Sequence, residues 1–134
     1  MVLDIEPYVI NTVTTRLESD FTGILVSGEF IRQPSSFPFV AIVEEDNYMT
    51  QIHMDSSDTE KFTTVVYEVN VFSDKPNGKR RQCREIMKAI DEEMYKMNFR
   101  KLSSYPSPNI ENASIYRLTA RYRAETDGKY IYRR

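Results

Sequence analysis

One cysteine, Cys83, and one histidine, His53, are all that this chain of 134 residues has of the side chains most used in disulfides, thiolate metal sites and imidazole chemistry. A disulfide framework, a structural zinc site and a multi-histidine metal centre each need more than one such residue, so all three are excluded. Glycine is scarce, at four residues, and Asn77-Gly78-Lys79 lacks the Gly-x-x-x-x-Gly-Lys-Ser/Thr frame of a phosphate-cradling loop. No apolar run approaches the roughly 18 residues of a membrane span. The first ten residues, MVLDIEPYVI, carry acids where a secretion signal would carry lysines and an apolar core. A protein made and folded in a reducing cytoplasm, with no membrane partner, is expected.

What is present suits a folded domain: 40% of residues are apolar and 28% charged, outside the range of disordered tails. The length fits one domain, taken here as residues 1–134. Net charge is only −2 but is unevenly placed: residues 1–67 hold 3 basic and 11 acidic side chains, residues 68–134 hold 15 and 9. Halves of −8 and +6 can present one acidic and one basic surface, which suits head-to-tail association with copies of the same chain.

Ile5, Val9, Val13 and Leu17 recur every four residues and predict a helix from near Glu6 or Pro7 to Ser19, since proline is tolerated only in a first turn. ILVSGEFI, Ile24 to Ile31, predicts a strand with a bulge at Gly28. Pro34 and Pro38 frame a loop leading into a strand from Phe39 to Glu45. Asn47 to Thr59 is polar and predicts a loop or hairpin. FTTVVYEVNVFS, Phe62 to Ser73, alternates Val65, Tyr67, Val69 and Val71 against Thr64, Glu68 and Asn70, as a central strand does. Cys83, Ile86, Met87, Ile90, Met94 and Met97 then mark an amphipathic helix over Lys79 to Met97. Strands follow at Asn98 to Tyr105, at Ser114 to Glu125 and at Tyr130 to Tyr132, with turns at PSPN and Asp127-Gly128. The order implies an α+β fold: one twisted, mainly antiparallel sheet with two helices packed on one face. Its open face would hold Glu68, Asn70, Arg117, Arg121 and Arg123.

Glu44, Glu45 and Asp46 raise the possibility of a magnesium-dependent nuclease. Alternation along a strand lets at most Glu44 and Asp46 converge, and the only acid-x-Lys triplet, Asp127-Gly128-Lys129, reads as a turn. His53 lies near Ser56 and Ser57 without a nucleophile elbow, and Cys83 falls on an apolar helix face, as a small core residue does. Lys79, Arg80 and Arg81 open a helix whose dipole opposes them by about 0.3–1 kcal/mol each. Arg117, Arg121 and Arg123 alternate along one strand face, where like charges repel unless countercharge is near. Either the face is solvated and partly neutralised by groups such as Glu68, or it meets the phosphates or carboxylates of a partner.

GEFIRQPSSFPFVAIVEEDN, followed by YEVNVFSDKPNGKRRQCREIMKAIDEEM and then by IYRLTARYRAE, resembles the small tail terminator (tail-completion, head-to-tail joining) proteins of long-tailed bacteriophages and prophages. The resemblance runs from about Gly28 to Glu125. It implies a strand-rich α+β fold and a structural, non-enzymatic protein that forms a ring, commonly a hexamer. Such a ring caps the finished tail tube, stops tube growth and offers a joining surface to the head. Its implied partners are copies of itself, the tail tube protein and a head connector or stopper protein. Its implied place is the head-proximal end of the virion tail, after assembly in the host cytoplasm. The family supplies no residue motif, so the candidate residues come from the sequence reading alone. Glu44, Glu45, Asp46, Lys79, Arg80, Arg81 and Arg84 are candidates for a subunit or tube interface. Arg117, Arg121 and Arg123 are candidates for an interface or a channel face with non-specific DNA contact. No catalytic residue, metal or cofactor is expected. A nucleic-acid-binding module and a metal-dependent nuclease are the alternatives.

Overall fold

A computed structural model describes residues 5–29, 34, 36–51, 61–107, 114–126 and 131–132. Along the chain lie α1 (Glu6–Asp20), β1 (Leu25–Ser27), β2 (Phe39–Gln51), β3 (Lys61–Ser73), α2 (Lys79–Lys96), β4 (Arg100–Ser107), β5 (Tyr116–Thr126) and β6 (Ile131–Tyr132). The strands form one sheet in the order β1-β2-β3-β5-β4, with β6 also on β5. Only the β1–β2 pair is parallel.

The predicted apolar stripes meet on one face of this sheet. Val9, Val13 and Leu17 of α1 and Cys83, Ile86, Ile90 and Met94 of α2 pack with Val40 and Ile42 of β2, with Val65, Tyr67, Val69 and Val71 of β3 and with Leu118, Ala120, Tyr122 and Ala124 of β5. Phe99 sets its ring edge-on to Tyr67, with centroids 5.5 Å apart. At the rim of this core the Arg16 guanidinium joins the two helices, bonding Asp20 at 2.6 Å, Glu92 at 2.8 Å and Glu93 at 2.9 Å. Gly78, at φ +100°, makes the left-handed turn that opens α2; a side chain there would be strained. Asn98, also left-handed at φ 69°, closes the helix, and the Phe99 N–H bonds the Met94 carbonyl at 2.9 Å.

Four local expectations change. Of the strand expected over Ile24 to Ile31, Leu25–Ser27 is strand among the described residues, and Phe30 and Ile31 lie outside them. Gly28 is no bulge: a β-carbon there would lie 2.9 Å from Ile10 Cδ1, so the missing side chain makes room for α1. The strand expected to stop at Glu45 continues to Gln51, because β3 supplies backbone partners down to Lys61 whatever the polarity of the side chains. Pro106 and Ser107, expected in a turn, end β4. His53, Ser56, Ser57 and the Asp127-Gly128 turn lie outside the described residues.

Nor is the open face uniformly polar. Phe39, Ala41 and Phe72 form a second buried cluster there, flanked by Phe37, Val43 and Ile115, and the Arg117 guanidinium lies 5.6 Å from the Phe72 ring centroid. This follows from alternation along β2, which sends Val40 and Ile42 to the helices and Phe39 and Ala41 to the other side.

Leu17 and Ile90 are fully buried where the helices meet the sheet. Leu17→Ala and Ile90→Ala should each lower unfolding free energy by about 2–5 kcal/mol in urea titrations. Tyr8→Ala, at a position 55% exposed, should change it by no more than about 0.5 kcal/mol.

Candidate functional site

The three consecutive acids sit on a β-bulge. Glu44 pairs with Tyr67 and Asp46 with Val66, so the extra residue, Glu45, falls between them. Tyr67 faces the helices and Val66 the open side, so the bulge sends Glu44 and Asp46 to opposite faces of the sheet. The expectation that these two could converge is therefore overturned. Regular alternation would have aligned them, and the inserted residue reverses the phase. Glu44 accepts hydrogen bonds from the Tyr67 hydroxyl at 2.7 Å and the Asn47 side-chain amide at 3.1 Å. Asp46 accepts one from the Asn47 backbone N–H at 2.9 Å. Among the described residues no group of three or more His, Cys, Asp or Glu side chains is placed to hold a metal.

Glu45 projects over the open face and meets Arg121 of β5, two strands away. Arg121 Nε and Nη2 both reach Glu45 Oε1, at 2.9 and 2.5 Å. These hydrogen bonds and the charge of Glu45 raise the Arg121 pKa above its ordinary value. Two candidate residues named separately from the sequence thus pair with each other inside the chain. The other two arginines have partners as well. Arg117 Nε donates to Asn70 Oδ1 at 2.9 Å, and Arg123 Nη2 lies 3.8 Å from Glu125 Oε2.

Asn70, fully buried, is the hub of this face. Its Oδ1 also accepts from the Thr119 hydroxyl at 2.7 Å, its Nδ2 donates to Glu68 Oε1 at 2.9 Å, and Thr119 meets the Ser107 hydroxyl at 2.8 Å. Glu45 and Glu125 thus offset part of the row's charge within the subunit, and Arg117 meets the neutral Asn70 amide. Glu68 lies opposite Arg121 in the register, and its charge also acts on Arg121.

The basic start of α2 is more open. Lys79 Nζ is held by the Ser114 carbonyl at 2.9 Å, and the Arg80 guanidinium lies 5.8 Å from the Tyr116 ring centroid. Arg80, Arg81, Arg84 and Lys88 line a shallow depression of about 490 Å³ with Glu85 as its one acid. Spacings of three and four residues bring these cations onto one exposed side of the helix. Lys88 did not stand out in the sequence, because it follows the Lys79–Arg84 cluster one turn later, beyond an acid.

A second depression, of about 330 Å³, lies between the end of α2 and β4, lined by Asp91, Tyr95, Phe99, Lys101 and Tyr122 among others. The Tyr122 hydroxyl donates to Asp91 Oδ1, and Lys101 Nζ donates to Oδ2 at 3.0 Å. Burial, then Asp91, pushes the Tyr122 phenol well above its ordinary range. Tyr122 and Lys101 occupy both oxygens of the Asp91 carboxylate, so the trio ties α2 to the sheet. Cys83 is likewise a core group. Its sulfur lies 3.5 Å from the Val71 carbonyl oxygen, and burial pushes the thiol up to about 12.

No protein-family profile matches the sequence, and no curated protein matches it. Among solved structures, the chain is similar to one in the virion of a native gene transfer agent particle, with a TM-score of 0.59 and 12% sequence identity. The match covers 84% of this chain and 90% of that one.

Two measurements check this geometry. Asn70→Ala removes the acceptor shared by the Thr119 hydroxyl and Arg117 Nε and the donor to Glu68, and should cost about 1–3 kcal/mol in denaturant unfolding. Cys83, protonated up to about pH 12 in the fold against 9.0 ordinarily, should resist iodoacetamide at about pH 8 in native buffer and react once urea unfolds the chain. Because the folded value is the higher one, the stability carried by the protonated thiol is complete below pH 9.0 and is lost as pH rises toward about 12.

Proposed function

We propose that the protein is a structural, non-enzymatic subunit of a virion that assembles as a closed ring, ends the growth of a tail tube by occupying the docking surface of its last layer, and presents the joining surface for the head. The observation that carries this reading is the fold shared over nearly all of both chains with a component of a virion, a gene transfer agent particle. It joins the resemblance of GEFIRQPSSFPFVAIVEEDN and the later runs to tail terminators. The work required of such a protein is recognition. A ring that fills the tube's last docking surface excludes the next tube subunit by competition, with no bond made or broken.

The charges divide this work. The arginine row of β5 is held by Asn70, Glu45 and Glu125, so it supports the sheet first and offers little bare charge to DNA in a channel. The ridge of Arg80, Arg81, Arg84 and Lys88 stands out from the sheet, and its net positive charge suits an acidic surface on the tube protein or the head connector. The ring is taken to be a hexamer, as in the family resembled, and to sit at the head-proximal end of the tail.

The test is native mass and electron microscopy of the purified protein, at low salt and high concentration, with and without tail tube protein. A ring of defined mass and tubes that stop growing once it is added are expected; monomers alone under all of these conditions would overturn the reading. Arg84→Glu with Lys88→Glu should leave the ring's mass unchanged and weaken capping by about tenfold or more. Unchanged capping would remove the α2 ridge from the contact.

A further inference from the structure

The sheet has two edges, and among the described residues backbone is left unpaired on both. β1 covers only Phe39, Val40 and Ala41 of β2, so among the described residues nothing pairs with β2 from Ile42 onward on the side away from β3. On the far side, β4 pairs among the described residues with β5 alone. Unpaired edges of this kind readily accept another strand. Exposed apolar side chains gather at these edges too: Leu102 and Tyr105 on β4 and Leu25 on β1.

Strand directions allow the two edges to meet. Each step from β2 through β3 and β5 to β4 is antiparallel, so β4 runs opposite to β2. Copies related by rotation about an axis roughly along the strands would bring β4 of one against β2 of the next as an antiparallel pair. The operation repeats identically at every junction, as a closed heterologous ring requires.

Charge supplies the height. Following the register across the sheet, Asp46 pairs with Val66, Val66 with Arg123 and Arg123 with Arg100. The next row runs from Glu44 through Tyr67 and Tyr122 to Lys101. Two neighbouring rows thus begin with an acid on one edge and end with a base on the other. Paired residues share a face, so Asp46 and Arg100 both lie on the open side, and Glu44 and Lys101 both lie on the helix side. Arg100 sits directly opposite Arg123, a like-charge pair that destabilises the edge by itself, and neither Arg100 nor Asp46 has an ionic partner among the described residues. The heights also agree with what β1 leaves open. Ser104 is level with Ile42, where the free part of β2 begins, and Tyr105 is level with Ala41, where β1 ends. Pro106 has no N–H to offer beyond that point.

We infer that subunits join by adding β4 residues Arg100 to Ser104 to the free edge of β2 in the next copy, with Arg100 set against Asp46; in the next row Lys101, held by Asp91, lies level with Glu44, held by Tyr67 and Asn47. This rests on the ring reading above and names the strands and the ion pair that close it. The same bulges, prolines and charges would also protect an edge that stays in water, and experiment separates the two.

The test uses charge reversal in the full chain, read by native mass, with thermal melting of each variant as a control. Asp46→Arg and Arg100→Asp should each weaken association by about tenfold or more, and the double variant D46R/R100D should restore it. Melted at a dilution where the wild type is monomeric, neither single variant should melt lower, because both positions are exposed and R100D removes the Arg100–Arg123 repulsion; in assembled samples loss of association by itself lowers the melting temperature. Oligomers unchanged in both single variants, or no rescue in the double variant, would overturn the edge pairing while the ring itself stands. A wild-type chain that never assembles, even with tube protein, would overturn the ring reading and this inference together.

Discussion

The apolar face that β3 and β5 turn toward the two helices is the contact on which the other placements depend. Val65, Tyr67, Val69 and Val71 lie beside Ala124, Tyr122, Ala120 and Leu118, all buried beneath α1 and α2. A slip of one residue between these strands would turn a whole row of buried side chains to the other side, so the register is strongly specified. That register puts Asn70 beside Thr119 and within reach of Arg117, and it fixes Arg100 and Asp46 to one row across four strands.

On the opposite face polar chemistry rides on this frame. A row of arginines along one strand is tolerable because other strands supply acceptors at the right heights: Asn70 from the neighbouring β3 and Glu45 from β2, one strand beyond it. Without the bulge, Glu45 would follow the phase set by Ala41 and Val43 with no change, but Asp46 would lie on the helix side. The extra residue gives the open face two carboxylates, one spent on Arg121 and one left at the edge. Among the described residues, the charge not consumed in holding the sheet together is concentrated on the α2 ridge and at the two sheet edges.

Much of the frame was legible in the sequence. The steps of three and four from Cys83 to Met97 and the alternation over Phe62 to Ser73 encode elements whose burial follows directly from periodicity. The α+β layer with both helices on one face followed from element order. What was hidden depends on topology. The span of β2 beyond Glu45 is polar, and its strand character comes from its partner β3. The Glu45–Arg121 pair requires β5 to lie beyond β3, and the bulge that brings Asp46 to the same face leaves no mark in three consecutive acids. Lys101 and Arg100 drew no attention because their significance lies in being level with Glu44 and Asp46 at the other end of the sheet, a relation no local pattern carries.

In the ring we propose, a subunit recognises its own copy with the backbone of one edge and the Arg100–Asp46 pair, and keeps a separate basic helix for its neighbours. Hydrogen exchange of the backbone amides, followed as the protein passes from dilute monomer to assembled ring, tests this most directly. The account predicts that outward-facing amides within Ile42–Asn47 and Arg100–Ser104 gain strong protection on assembly, while the exposed turns of α2 near Arg84 change only when the tube or head protein is added. Edge amides that exchange equally fast in monomer and ring would contradict it.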